Sequence, residues 1–482
     1  MSAGKTDWEE FDMENLSCDV AIVGGGIAGL ISGLRCAQGG KKVLVLERLK
    51  DERYVCNTRL TGGVFHCAMT DIRTPVNELV DIILQATDGA ADPALARLVA
   101  GNARRAVNWL QDLGIRFVRG SADPWHSFVL APPGIAQLGR QWEGRAGDVL
   151  MRTLEAELNR HQGKVLRGHE AKDLIMADGT CRGVKVALAD GQMIEVESEA
   201  VILADGGFQS NPRMLEEHIS PQPASVVQRN AGTGMGAGLR MALAAGAAAS
   251  DLRGFYGHIL SRAALQNDQL WPYPWLDEVA KRYIVVDAGG RRFTDEGQGG
   301  IHIANDIARL PRPDATTVIC DEDGWNGPAT ERFLPANPNL EKAGGTVLRA
   351  ASLRELAALA DIDPDGLAAT VDDYNAALDH GRLAQLQPAR STSKYSALPI
   401  RKAPFYALPA AAGITYTMGG VLIDERCQVQ SQQGGPIAGL YAAGSTTGGL
   451  EGGAHAGYVG GLVKASVTAL HCAEVITGAA AS

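Results

Sequence analysis

The chain has 482 residues, 45% of them hydrophobic and 21% charged, with a formal net charge of −10. That length predicts two domains, and the acidic balance argues against nucleic acid or an anionic membrane as partner. No run of 18 apolar residues occurs, so no membrane insertion is predicted.

The N-terminal stretch MSAGKTDWEEFDMENLS lacks the basic-then-apolar layout of a secretion signal and reads as a polar tail of a cytoplasmic protein. Eight cysteines are scattered with no CxxC or CxxCH, so no metal, iron–sulfur or haem site is expected. The 58 glycines cluster, as expected where backbone must closely approach a large nucleotide cofactor.

Residues 18–47, CDVAIVGGGIAGLISGLRCAQGGKKVLVLE, form the first legible unit. The apolar run Val20–Val23 reads as a buried parallel strand ending in Gly24, Gly26 and Gly29 at GxGxxG spacing. Gly24 permits the sharp turn, Gly26 leaves room for a pyrophosphate, and Gly29 lets the helix pack closely on the strand. The helix start offers free N–H groups to that phosphate. A second strand ends in Glu47, placed to accept hydrogen bonds from ribose, which favours FAD or NAD over NADP.

Further along, NTRLTGGVF (57–65) reads as a second phosphate loop. Apolar spacing predicts consecutive amphipathic helices over 75–113, another over 146–160, and a β-meander over 164–202. AVILADGGF (200–208) returns the chain to the nucleotide fold. Two short helices over 351–381 flank a DIDPDG turn with a capping aspartate, and polar residues 382–396 read as a mobile segment. Residues 438–461 give a short strand and a glycine-rich approach to a final helix, whose N–H groups could face a flavin pyrimidine. A phosphate loop and a distant C-terminal strand serving one cofactor point to FAD rather than NAD.

These motifs, together with NAGTGMGAGLRMALAAGA (230–247), GGRRFTDEG (289–297), YTMGGV and YAAG, resemble the fumarate reductase and succinate dehydrogenase flavoprotein superfamily. Its relatives include tricarballylate dehydrogenase and the 3-ketosteroid dehydrogenases. The resemblance implies an α/β fold: a Rossmann-type FAD-binding domain over 17–250 and 411–482, with an inserted α+β capping domain over 251–410. Substrate would lie between cap and flavin. The implied cofactor contacts are Gly24, Gly26, Ile27, Ala28, Gly29, Glu47, Arg48, Asn57, Thr58, Arg59, Thr61, Gly62 and Gly63. They continue with Ala171, Ala204, Asp205, Gly206, Gly234, Gly444, Gly449, Gly460 and Gly461. Asp205 stands where many relatives have threonine. Cys56 lies near the position of a histidine that carries covalent flavin in membrane-bound relatives, but the alignment through NTRLTGG favours non-covalent FAD.

Residues 413–421, GITYTMGGV, place Tyr416 where fumarate reductases carry a substrate histidine. The first histidine of that family is matched by His258, seven residues after Asp251. The proton-donating arginine is matched by Asn305, and the second arginine by His455, with Tyr458 three residues on. These replacements remove positive charge from the pocket, because neither tyrosine nor asparagine reproduces an arginine fork. Phenols and histidines suit a ketone or enone oxygen instead. The aromatic stretch WPYPW (271–275) fits either an apolar pocket or a rigid core turn. Arg59, Arg140, Arg145, Arg262 and Arg282 remain candidates for an acidic substrate, Arg262 foremost, and Glu296 reads as orienting rather than titrating.

The expected activity is FAD-dependent addition or removal of two hydrogens across a C–C bond next to a carbonyl, with Tyr416 as base. A di- or tricarboxylate enzyme and a non-catalytic flavin-binding redox module are the alternatives. The partners are a small-molecule substrate and a diffusible electron donor or acceptor, and the sequence allows a homo-oligomer without specifying one.

Overall fold

The first strand, β1 (Asn15–Val23), is apolar at every position facing the core and leads through the glycine turn into a helix at Ile27–Gln38. In this computed structural model, residues 15–133, 139, 141–332 and 334–479 are described. Residues 1–14 of the expected tail lie outside the described residues. β2 (Val43–Glu47) follows, buried throughout. Gly29 makes the helix-to-strand approach possible, because a Cβ there would overlap the Gly24 carbonyl oxygen.

Amphipathic helices at Val76–Ala86 and Pro93–Asp112 come next. Asp92 caps the second, accepting from Ala94 N at 2.8 Å and Leu95 N at 3.1 Å. A hairpin of β3 (Phe117–Val118) and β4 (Val129–Leu130) precedes the predicted helix at Ala146–Arg160. β5 (Lys164–Arg167), part of the span expected as a meander, pairs parallel with β2 instead. The meander is realised by β6 (His169–Ala177), β7 (Thr180–Leu188) and β8 (Met193–Leu203).

A second sheet then takes over with β9 (Val227–Gln228), β10 (Phe255–Ser261), β11 (Ile284–Val286), β12 (Thr316–Cys320), β13 (Leu348–Ala350) and β14 (Phe405–Thr417). The chain returns to the first sheet in β15 (Gln428–Gln430) and β16 (Pro436–Ala442), and closes with a buried helix at Gly461–Thr477.

The first sheet runs β15–β16–β7–β8–β1–β2–β5, with β6 on β7 and β16 also bonded to β8. Its centre is parallel: β1 pairs with both β2 and β8, and β2 with β5. Helices at Ile27–Gln38 and Gly461–Thr477 pack together on it, pinned at their ends by Glu474, which pairs with Arg35 and Arg105. The second sheet is ordered β10–β14–β12–β11, with β13 and β9 also on β14. The α/β architecture is therefore present. The second sheet takes in β9, which lies before residue 250, and β14, which runs past residue 410 to Thr417.

Helices at Leu353–Ala360 and Pro364–Asp379 match the expected pair, with Asp363 accepting from Asp365 N. The polar segment 382–396 is anchored, contrary to expectation. Arg390, 1% exposed, donates to the carbonyls of Lys281 at 2.8 Å and Ser396 at 3.3 Å. The segment's polar composition reads as mobile, but the Arg390 guanidinium is sheathed in main-chain oxygens. Among the described residues, no helix is long and apolar enough to cross a membrane.

Candidate active site

A cavity of about 800 Å³ opens where the carboxyl ends of β1, β2, β8 and β16 meet the second sheet. Its outer end is walled by Gly24–Ala28, Glu47–Arg48, Asn57–Thr58, Thr61–Gly63, Ala171, Ala204–Gly206 and Gly234. Gly24 has φ +100, and a Cβ there would lie 2.6 Å from the Asp205 Cα, so the turn requires glycine. Gly26 differs: only Thr58 Oγ1, at 3.8 Å, would neighbour its Cβ, so a side chain would fill the cavity itself. The Glu47 carboxylate accepts from Gly25 N at 3.1 Å and Leu49 N at 2.9 Å, and burial raises its pKa. Asp205 accepts from Gly238 N at 2.8 Å and from Thr446 Oγ1 at 3.3 Å, and burial raises its pKa to about 6.

The inner end is built from side chains. Tyr256 on β10 sits directly opposite Tyr416 on β14, their rings 5.5 Å apart between centroids. Tyr458 stacks on Tyr256 at 3.8 Å and 11°. Tyr416 donates its phenol hydrogen to Glu451 Oε1 at 2.8 Å. That carboxylate also accepts from Val459 N at 3.0 Å and Gly460 N at 3.3 Å, and pairs with buried Lys464 at 3.3 Å. Burial, then the Glu451 charge, hold the Tyr416 pKa well above that of a free phenol. An ionised Tyr416 would face a carboxylate, which argues against the expected role as base.

His258 is 4% exposed and bridges two groups: Nδ1 meets Asp277 Oδ2 at 2.7 Å, and Nε2 meets the Tyr256 hydroxyl at 3.1 Å. Its ring stacks on Trp275 at 3.7 Å and 8°. Asp277 is fixed in turn by accepting Ile259 N at 2.8 Å. Burial lowers the His258 pKa, outweighing the opposing pull of Asp277, so the imidazole is neutral at neutral pH and Nδ1 carries the hydrogen toward the carboxylate.

At the rim, His455 Nδ1 pairs with Asp88 at 2.8 Å, and the ring lies 5.1 Å from that of His302. His302 Nε2 pairs with Asp306 at 3.1 Å, leaving a buried Nδ1 without a partner among the described residues. Trp271, Tyr273 and Trp275 of the WPYPW stretch all face the cavity.

Several expected site residues stand elsewhere. Asn305 is 1% exposed and clamps β10, accepting from Phe255 N at 3.1 Å and donating to Phe255 O at 2.8 Å. The same helix presents Gly300, Ile301 and His302 to the cavity instead, one turn earlier. Arg59, 1% exposed, pairs with Asp148, stacks over Trp142 and does not line the cavity. Gly449 packs against Leu422 and Leu95, and Gly460 against the His66 backbone, both behind the wall. Gly29 serves helix packing, while Gly444 and Gly461 line the cavity.

Among the candidate arginines, Arg145 precedes the Ala146–Arg160 helix, Arg262 donates to Thr316 O at 2.5 Å, and Arg282 pairs with Glu331. None of these three lines the cavity, and Arg140 lies outside the described residues. Glu296 is fully buried between Arg292 and Arg390, as an orienting group would be.

Sequence reasoning missed Tyr256, Asp277, Glu451 and Arg229. Arg229 lines the cavity, donates to Thr415 Oγ1 at 2.7 Å and lies 5.3 Å over the Trp275 ring, with no carboxylate partner among the described residues. The DLRGFYGH stretch carried Tyr256 beside the histidine already singled out. Two-residue spacing on a strand was the available signal that both share a face.

Residues 19–460 match the FAD-binding domain family. The chain belongs to that family. FAD is its cofactor, and the glycine cradle, the Glu47 carboxylate and the cavity opening at Gly26 are a donor set and a space that fit it. It is 27% identical over 447 residues to an NADH:fumarate oxidoreductase of Klebsiella pneumoniae (strain 342), covering 91% of this chain and 45% of that protein. It is 23% identical over 470 residues to a vinyl phenol reductase of Lactiplantibacillus plantarum (strain ATCC BAA-793 / NCIMB 8826 / WCFS1), covering 90% and 91% respectively. The chain thus spans less than half of the first relative and nearly all of the second. The solved 3-ketosteroid-delta4-(5alpha)-dehydrogenase of Rhodococcus jostii RHA1 superposes with a TM-score of 0.69 at 20% identity, covering 98% of each chain, which shows a shared fold. The resemblance to the fumarate reductase and succinate dehydrogenase flavoprotein superfamily is borne out.

Proposed function

We propose that this chain is an FAD-dependent oxidoreductase that adds or removes two hydrogens across a C–C bond adjacent to a carbonyl, as in an enone or ketone. The observation that carries it is the cluster of three neutral phenols, buried Tyr416 with half-buried Tyr256 and Tyr458, at the inner end of the FAD cavity beside His258. Bound FAD, held non-covalently, supplies hydride exchange with one carbon of the substrate. Tyr416, oriented by Glu451, and Tyr458 shape the pocket around the carbonyl, while a tyrosine or histidine moves the accompanying proton. Trp271, Tyr273 and Trp275 exclude water from the reacting carbons. FAD-binding portions at 17–250 and 411–482 surround a cap at 251–410, whose sheet borrows β9 and the end of β14 from them. A cytoplasmic location and a diffusible electron donor or acceptor complete the reading.

The similarity to an enzyme named for reducing vinyl phenol supports a conjugated alkene with an aromatic or cyclic body. A dicarboxylate is the second reading, and Arg229 is the observation that favours an anionic group. Lys281 and Arg332, the next cations along the wall, are already paired with Glu278. The other cations on the wall, Arg48, Arg240 and Lys394, are exposed. Two carboxylates at the inner end would therefore share Arg229, the one half-buried guanidinium without a carboxylate partner among the described residues, and a charge left unpaired there costs several kcal/mol.

The test is anaerobic mixing of the FAD-loaded protein with cyclic enones and ketones, vinyl phenols, fumarate, succinate and tricarballylate, read by flavin absorbance. Oxidised flavin should bleach with a saturated ketone, or reduced flavin recover with an enone, faster than with any dicarboxylate. If the carboxylates alone exchange electrons, the dicarboxylate reading replaces this one. If no compound does, the chain is a flavin-binding redox module.

A further inference from the structure

We propose that Tyr256 is the catalytic residue that exchanges the proton with the substrate carbon, and that His258 and Asp277 act through it as positioning residues. This assignment rests on the C–C oxidoreductase reading above. Two hydrogen bonds make a directed chain, Asp277 Oδ2 to His258 Nδ1 at 2.7 Å and His258 Nε2 to the Tyr256 hydroxyl at 3.1 Å, and it ends on Tyr256 at the cavity wall. The second carboxylate oxygen is held by Ile259 N at 2.8 Å, and the imidazole plane by Trp275, so neither member can rotate freely. This is the logic of an acid–base triad, in which a carboxylate fixes the tautomer and the imidazole activates a hydroxyl.

The comparison with Tyr416 selects between the two facing phenols. The Tyr416 hydrogen is committed to Glu451, and losing it would set two negative oxygens 2.8 Å apart. The Tyr256 hydrogen faces a neutral nitrogen able to take it. The other groups facing Tyr256 and His258 are Arg229, Tyr273, Glu278 and Tyr458. Burial raises the Tyr256 pKa to about 12, so the phenol is protonated at rest and ionises only as its hydrogen passes to His258.

In dehydrogenation the C–H bond next to the carbonyl breaks as its proton goes to the Tyr256 oxygen. The hydrogen originally on that oxygen moves to His258 Nε2, giving an imidazolium against Asp277. The freed electron pair forms the C=C bond as hydride leaves the neighbouring carbon. The substrate loses two electrons and bound FAD gains them. In reduction each transfer reverses: imidazolium reloads Tyr256, Tyr256 protonates one carbon, and hydride reaches the other.

Two measurements on the FAD-loaded protein decide the matter. Tyrosine 13Cζ NMR against pH, with Tyr256→Phe fixing the assignment, reads the two phenols separately. Asp277→Asn should move the Tyr256 midpoint downward, because the Asp277 charge raises it, and leave Tyr416 in place. With the fastest alkene among cyclohexenone, 4-vinylphenol and fumarate, Tyr256→Phe should slow flavin reoxidation by about 10²-fold or more. Its half-saturating concentration should stay within a few-fold, and the solvent deuterium effect should grow. Tyr416→Phe should cost less than tenfold, and His258→Asn should flatten the pH profile while retaining FAD. A larger loss in Tyr416→Phe than in Tyr256→Phe overturns the assignment. If all three alkenes fail, the proposed activity falls, and an unmoved Tyr256 midpoint in Asp277→Asn would still overturn the relay.

Discussion

At the outer end of the cavity the wall is main chain: Gly24 turns it, Gly26 leaves it open, and the Glu47 carboxylate is steadied by two backbone N–H groups. At the inner end the wall is side chain, with Tyr256, His258, Tyr416 and Tyr458 held by Asp277, Glu451 and one another. The two ends tolerate change differently. A backbone wall is specified by the absence of side chains and fails when one is added. A side-chain wall is specified by partners and fails when one is removed.

The sharpest way to test that contrast is Glu451→Gln. Glu451 is the common acceptor for Tyr416, two backbone N–H groups and Lys464, whose side chain is 1% exposed. A neutral amide in its place would leave a buried ammonium without its counter-charge, and unfolding in urea should show a loss of about 3–5 kcal/mol. A loss under about 1 kcal/mol would mean that the inner end does not depend on its ion pair.

Gly29→Ala probes the outer end. The added methyl would overlap the Gly24 carbonyl, and the helix must shift away from β1 to admit it. Stability should fall by about 1–3 kcal/mol, and FAD should be lost on gel filtration because the phosphate cradle moves with the helix. Retained FAD with unchanged melting would break the argument that this end is set by backbone approach.

The smallest effect belongs to Asp205, in the wall of the outer end. Its folded pKa is raised from 3.8 to about 6, so the folded chain binds this proton more tightly than the unfolded chain does. Its contribution is thus fully present below pH 3.8 and is lost as pH rises through about 6. Urea unfolding at pH 4.5, 5.5 and 7 should show that Asp205→Asn flattens this fall relative to the parent chain. A parallel fall in both proteins would assign the pH dependence to other groups.

How much of this was legible follows the same division. The strand–glycine–helix–strand unit, the Ala146–Arg160 helix and the capping Asp363 were readable because neighbours in sequence determine them. The segment 382–396 was not, since the burial of Arg390 depends on carbonyls as far as 109 residues away.

Sequence by itself determined the α/β class, the FAD cradle and the aromatic and histidine content of the pocket, because glycine spacing, hydrophobic period and residue chemistry are local properties. Only the tertiary structure decided which side chains meet. Arg59 sits in a loop that reads as phosphate-binding, yet its charge is answered by Asp148, 89 residues on. Asn305 occupies a position aligned with a proton donor, yet helical rotation turns it toward β10 and brings His302 to the cavity. Tyr416 drew attention by its place beside TMGG, but the pairing of β10 with β14 sets Tyr256 opposite it, and that phenol alone is backed by a neutral imidazole. Partner choice depends on strand register and helix phase, and those are fixed by long-range packing rather than by any local run of residues.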